Sequence, residues 1–124
     1  MQLANLPALR QPLDGGLFGG VITLADGITY AIVWLNTVQP PEALDFDGAR
    51  SWAAGVGGHL VTRAIGTMLV ANLGDLLPQT WVWTCEEQNS AFAWLCYLSI
   101  GNVNSTGRGA QGGAVAVRMI PLSA

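Results

Sequence analysis

The sequence predicts an α+β chain in which an N-terminal β-hairpin leads into two short helices and then a set of antiparallel strands. Three observations carry that reading. Asp26-Gly27 separates two β-rich runs, 17–24 and 28–35; this is a strong hairpin signal, because glycine takes positive φ at little steric cost. After Thr62, the residues Ile65, Met68, Leu69 and Asn72 or Leu73 recur at helical spacing. Large side chains then alternate along Trp81-Val82-Trp83 and again through 91–98, the period-two pattern of strands with one face in a core.

Each element can be justified in chain order. Residues 1–16 hold Pro7 and Pro12 and end in Asp14-Gly15-Gly16, which reads as an extended arm closed by a turn. The hairpin follows. Pro40-Pro41 interrupts the sheet pattern within 36–42 and forces a loop. Asp45 or Asp47 can cap a helix running to about Ala54, with Trp52 on its buried face and Gly55 closing it. Gly57-Gly58 form a link, and Thr62 caps the second helix. Gly66 inside that helix costs about 1 kcal/mol relative to alanine, so its presence predicts close packing there. Leu76-Leu77-Pro78 ends the helical region. Strands are expected over 81–85, 92–99 and 114–120. The stretch 101–113, rich in Gly, Asn and Ser, reads as a long polar loop.

Composition narrows the function. The 124 residues suffice for one domain, 1–124, and are too few for two separate cores. Only 10% of them are charged against 51% hydrophobic, so neutral or apolar surface is left over once a core is filled. Such surface marks contact with another chain, and a homo-oligomer or a component of a larger assembly is expected. Lysine is absent, the 5 arginines are scattered, and the net charge is −3. Nucleic-acid binding needs clustered positive charge, so that partner is excluded. The start lacks a basic segment followed by an unbroken apolar run, so no signal peptide is expected. No apolar stretch reaches the 18 residues or so of a spanning helix, and no membrane insertion is expected.

The chemistry-bearing residues are few. Cys85 and Cys96 lack the spacing of a redox or metal motif and read as two reduced, buried thiols. His59 has no sequence partners for base catalysis or zinc and reads as a polar residue at a helix start. Glu86 and Glu87, the adjacent acidic pair, point to opposite faces of a strand and cannot chelate together. No metal and no cofactor are expected. Trp52, Trp83 and Trp94 are expected to be mostly buried. Trp81 shares a strand face with Trp83.

Several motifs in order resemble a known family. Ser51-Trp52-Ala53-Ala54, then Gly58-His59-Leu60-Val61-Thr62-Arg63, Trp83-Thr84-Cys85-Glu86, Ala91-Phe92-Ala93-Trp94, the Gly/Asn stretch 101–113, and Ala116-Val117-Arg118-Met119-Ile120 are similar to the DUF1566-type domain. That domain is a C-type-lectin-like module found often in phages and prophages. The resemblance covers nearly the whole chain. It departs at Val61, where the family has proline, at Ile65-Gly66, where acidic or amide residues are usual, and at Cys85, where serine is common. It implies an α+β C-type-lectin-like fold, two helices flanking an antiparallel sheet with the termini close together. It also implies a structural ion pair for Glu86, with Arg63 or Arg118.

The function expected is therefore a non-enzymatic binding or structural module of phage or prophage type. It is expected to be made in the bacterial cytoplasm, with a place on the virion in prospect, and to present a polar loop to a protein or glycan surface. The binding residues expected are Asn102, Asn104, Ser105 and Arg108 in the loop, with Trp94 and Tyr97 on the strand before it. Two alternatives stay open. One is a receptor-binding protein diversified by a retroelement. The other is a cysteine-dependent enzyme related to sulfatase-modifying oxidases, which requires Cys85 and Cys96 to be exposed and acidic.

Overall fold

The computed structural model describes residues 1–123. A 3-10 turn at Leu3–Asn5 precedes strands β1 (Pro12–Leu13), β2 (Gly16–Thr23) and β3 (Thr29–Trp34). Helices α1 (Phe46–Gly55) and α2 (Arg63–Leu73) follow, and then β4 (Trp81–Glu87), β5 (Phe92–Tyr97), β6 (Val103–Gly107) and β7 (Val117–Pro121). The strands make two antiparallel sheets, one ordered β1-β2-β3-β7 and the other β4-β5-β6. The architecture is α+β, with two sheets where the sequence reading expected one.

The N-terminal hairpin forms as its turn chemistry requires. β2 and β3 pair from Leu17↔Trp34 to Thr23↔Thr29. Asp26 organises the turn between them: its carboxylate accepts from the Ile28 N–H at 2.9 Å and from the Tyr30 hydroxyl at 2.6 Å. A second, tighter turn joins β1 to β2 at Asp14-Gly15, where both residues have positive φ (47° and 88°), the conformation that fits a two-residue hairpin. The arm before it is held by Arg10. Its guanidinium reaches both carboxylate oxygens of Asp75, at 3.0 and 2.6 Å, and the Asn72 carbonyl at the end of α2. That pairing keeps the Asp75 carboxyl below its ordinary value.

Both helices start where a side chain can satisfy a free amide. Asp45 accepts from the Gly48 N–H at 2.7 Å, and Thr62 accepts from the Ile65 N–H at 3.0 Å. Asp45 rather than Asp47 is the cap of α1. The helix runs through Gly55, and the residue with positive φ beyond it is Gly57 (82°).

Strand β3 separates two apolar cores. Ile32 and Trp34 face one core with Ile65, Leu69 and Leu73 of α2, while Val33 and Leu35 face the other with Phe46, Ala49 and Ala53 of α1. The period of two along β3 meets the 3.6-residue period of a helix on each side. β4 divides likewise, with Val82 in the first core and Trp83 in the second. Gly66 lets α2 approach β5: a Cβ there would stand 3.0 Å from the Cys96 sulfur. Among the described residues, no helix is long and apolar enough to cross a membrane.

The tryptophans sort differently from the expectation. Trp83 is fully buried, with its indole N–H donating to the Leu44 carbonyl at 2.8 Å and its ring edge-on to Phe46 at 5.6 Å. Trp34 is 7% exposed. Trp52 and Trp94 are only half-buried. On α1 the small residues Ala49 and Ala53 take the deep positions, which leaves Trp52 at the margin.

Truncating Trp83 to alanine should cost about 3–5 kcal/mol, since it opens a large cavity and removes one of the two donors to the Leu44 carbonyl. Chemical denaturation followed by circular dichroism measures this. A loss no larger than that of Trp52→Ala would contradict the central position given to Trp83.

Candidate functional site

The expected loop 101–113 is not a loop throughout. Val103–Gly107 is strand β6, paired with β5 from Phe92↔Gly107 to Cys96↔Val103. The true connection is a short turn closed by Gly101 N–H to Tyr97 O (2.8 Å) and Tyr97 N–H to Asn102 O (2.7 Å). β6 is an edge strand whose residues are half-buried or exposed, so it lacks the apolar alternation that reveals a strand in sequence. Its backbone, not its side chains, places it in the sheet.

This pairing distributes the expected binding residues over two faces. Directly paired residues of an antiparallel ladder share a face. Ser105 therefore lies beside Trp94, on the face that carries Cys96 under α2, while Asn104 pairs with Leu95 on the opposite face. Tyr97 is on that second face, edge-on to Trp81 with ring centroids 5.1 Å apart. Trp94 and Tyr97 do not converge. Asn102 and Asn104 are exposed, and Asn104 Oδ1 accepts from the Ser105 N–H at 2.9 Å. A second blunting contact, Ala110 N–H to the Gly107 carbonyl at 3.0 Å, further reduces the backbone groups left on the open edge. Edges covered in this way resist pairing with a foreign strand.

The charged residues of the region serve the fold. The Arg63 guanidinium stacks over the Trp94 ring, 4.4 Å from its centroid, and its Nε lies 3.2 Å from Glu86 Oε1. The same oxygen accepts from the Arg63 backbone N–H at the start of α2, a favourable place for a carboxylate at a helix N-terminus. The ion pair, with side chains 42% and 34% exposed, contributes about 0–1 kcal/mol. Arg118, the other arginine named for Glu86, turns to Asp14 instead, with Nη1 3.5 Å from its carboxylate and 3.1 Å from its carbonyl. Arg63 covers one side of the Trp94 indole, so a ligand cannot stack there without displacing it.

Arg108 is the largest departure from the sequence reading, which left it free to meet a partner. Nη2 lies 2.8 Å from Asp47 and Nη1 3.5 Å from Glu87, and the guanidinium sits 4.9 Å from the Phe46 centroid. Arg50 approaches the same ring at 5.4 Å and also reaches Glu87. Two cations and two carboxylates thus lock the end of β6 to α1 and β4.

Cys96 is buried as expected, but Cys85 is exposed. Cys85 lines a cleft of about 390 Å³ with Arg50, His59 and Met119. Neighbouring protein atoms strip part of the hydration from both thiols and push them above their ordinary value, although Cys85 stays open on one side, and the Glu86 charge adds to the effect at Cys85. Among the described residues, no three His, Cys, Asp or Glu side chains are grouped to hold a metal ion.

What sequence reasoning missed is apolar. Phe92, Ile100 and Val103 are 43%, 67% and 43% exposed, and all three belong to the β5–β6 hairpin. Phe92 is on the Trp94 face, as is Val103 through its pairing with Cys96. A count of charges hinted at leftover apolar surface but not at its place. No family model matches the chain, and no curated protein matches it in sequence.

Arg108→Ala should lower the melting temperature, and Arg108→Lys should recover only part of the loss, because an ammonium cannot span two carboxylates while stacking on a ring. Thermal unfolding of the two variants decides this; an unchanged midpoint in Arg108→Ala would return the residue to the binding set. A thiol reagent at neutral pH should modify Cys85 slowly, with the rate climbing only at alkaline pH, and should reach Cys96 only after unfolding. Rapid labelling of both thiols in the native protein at pH 7 would refute the environments described.

Proposed function

We propose that the chain is a non-enzymatic, C-type-lectin-like binding or structural module of phage or prophage type. It acts as an oligomer or within a larger assembly and uses its β5–β6 hairpin to meet a protein or glycan surface. Two helices against antiparallel sheets, with Gln2 and Ser123 bridged in parallel, support the lectin-like assignment. The observation that carries the binding reading is the exposure of Phe92, Ile100 and Val103 on one hairpin, beside the exposed amides of Asn102 and Asn104. Large apolar groups left in water beside neutral polar ones are the composition of an interface centre and its rim. Synthesis in the bacterial cytoplasm and a place on the virion belong to the same proposal.

Two details refine it. The partner reads side chains, because the β6 backbone edge is partly occupied by Asn104 and Ala110. Arg108, Glu86 and Arg63 hold the surface in place and leave recognition to the residues around them. The cysteine-enzyme alternative is disfavoured by the raised pKa of both thiols. The retroelement-diversified alternative gains from one observation: Asn102 and Asn104 are exposed at the edge of the fold and can vary without disturbing either core. A repeat of the coding sequence beside a reverse-transcriptase gene identifies that case.

The paired substitution Phe92→Ser with Val103→Ser should leave the fold intact while abolishing binding to host cell envelope or to a glycan array, and Asn102→Ala with Asn104→Ala should weaken it. Retention of full binding by both double variants, with wild-type melting behaviour, would move the interface off this hairpin.

A further inference from the structure

A second site lies away from the hairpin, where the loop after β3 faces the segment after α2. Trp34 floors a cleft of about 340 Å³ there, with Asn36 and Gln39 on one side and Leu77, Pro78 and Val115 on the other. The volume falls at the lower end of small-molecule sites. None of the residues lining it carries a charge.

Trp34 is the informative residue. Its side chain is more than nine-tenths buried, yet its indole N–H has no acceptor among the described residues, unlike that of Trp83. Neither is that nitrogen sealed in the interior, since no buried side-chain nitrogen or oxygen lacks a partner. The indole donor is therefore open to solvent, and Trp34 lines this cleft. Asn36 and Gln39 are exposed at the rim, and their amides can both give and accept hydrogen bonds.

We propose that this cleft binds the acylamide group of a small neutral ligand. An indole N–H donates only, so the group above it must offer an acceptor. A carboxylate meets that demand but would lose hydration with no cation to replace it. An alcohol leaves the apolar wall of Leu77, Pro78 and Val115 unused. An acylamide supplies a carbonyl oxygen for Trp34, an N–H for the rim amides, and a methyl group for the wall. Two sources carry this group in compact form: an N-acetylated sugar and an N-acetylated amino-acid amide. The site is independent of the hairpin reading and stands or falls without it.

The test uses the whole protein labelled with nitrogen-15. The Trp34 indole resonance is assigned by its loss in Trp34→Phe, and is then followed in the wild type during additions of N-acetylglucosamine, N-acetylglycinamide, glucose and acetate. A saturable shift of that resonance with either acylamide, and none with glucose or acetate, is the expected result. A response to the sugar alone or to the amide alone identifies the source. In Asn36→Ala with Gln39→Ala, which alters only the exposed rim and leaves Trp34 in place, the apparent affinity should fall at least about fivefold, the loss of one modest hydrogen bond. No shift up to about 100 mM, far above the millimolar range of fragment-sized ligands, overturns the proposal. So does an equal response to glucose, or an affinity unchanged by removing both rim amides.

Discussion

The fold depends on one run of backbone, Gly112 to Val117, that stitches the two sheets together. Gly112 exchanges both of its backbone hydrogen bonds with Leu44 at 2.8 Å. Gly113 then bonds to Trp81 and Trp83 of β4, Ala116 accepts from Leu35 beyond β3, and Val117 exchanges bonds with His59 at the first residue of β7. Within six residues the chain leaves one sheet and joins the other. Its side chains alternate to match, Ala114 and Ala116 into the α1 core, Val115 and Val117 into the α2 core. Buried amides must find partners, and here those partners belong to four separate parts of the chain. Gly112 also lies where a Cβ would come 3.1 Å from the Trp83 indole nitrogen, so the seam and the central tryptophan fit only together.

The parts of this arrangement legible in sequence are those governed by local chemistry. Asp26-Gly27, Thr62 and Asp45 each act through their own neighbours within four residues, and the elements they start were readable. β6 was hidden because an edge strand gains its place from the pairing of β5 and can carry Asn, Ser and Thr on either face. The seam read as the end of the polar loop at Gly112-Gly113 and the beginning of the last strand at Ala114, since nothing in Gly112-Gly113-Ala114 announces a parallel contact with β4. The candidate site suffered for the same reason. Trp94 and Tyr97 looked like neighbours in sequence, yet an odd spacing along a strand sends them to opposite faces. Gly66 was read correctly, because a costly residue inside a helix points to a packing constraint whatever the partner.

The arginines illustrate how far pairing lies outside a linear reading. Each of the five has a carboxylate: Arg10 with Asp75, Arg50 with Glu87, Arg63 with Glu86, Arg108 with Asp47 and Glu87, and Arg118 with Asp14. Four of the six contacts join groups more than thirty residues apart, counting Arg10, Arg50, Arg118 and the Arg108–Asp47 contact. The pairs sit at junctions, between arm and α2, between α1 and β4, between β6 and α1, and between β7 and the first turn. Their individual energies are small because they are partly exposed. Their common effect is to fix orientation between elements that apolar contacts alone would let slide.

That pairing has a kinetic consequence. With every guanidinium already facing a carboxylate and lysine absent, the surface has no cluster of unneutralised positive charge to draw an anionic surface from a distance. Under the binding proposal, an anionic partner surface would reach the hairpin by unaided diffusion, with an association rate constant near the neutral value of about 10⁵–10⁶ M⁻¹s⁻¹. The encounter should respond little to ionic strength. Under the same proposal, tight attachment would rest on slow dissociation and on the number of copies acting at once, which the proposed oligomer would supply.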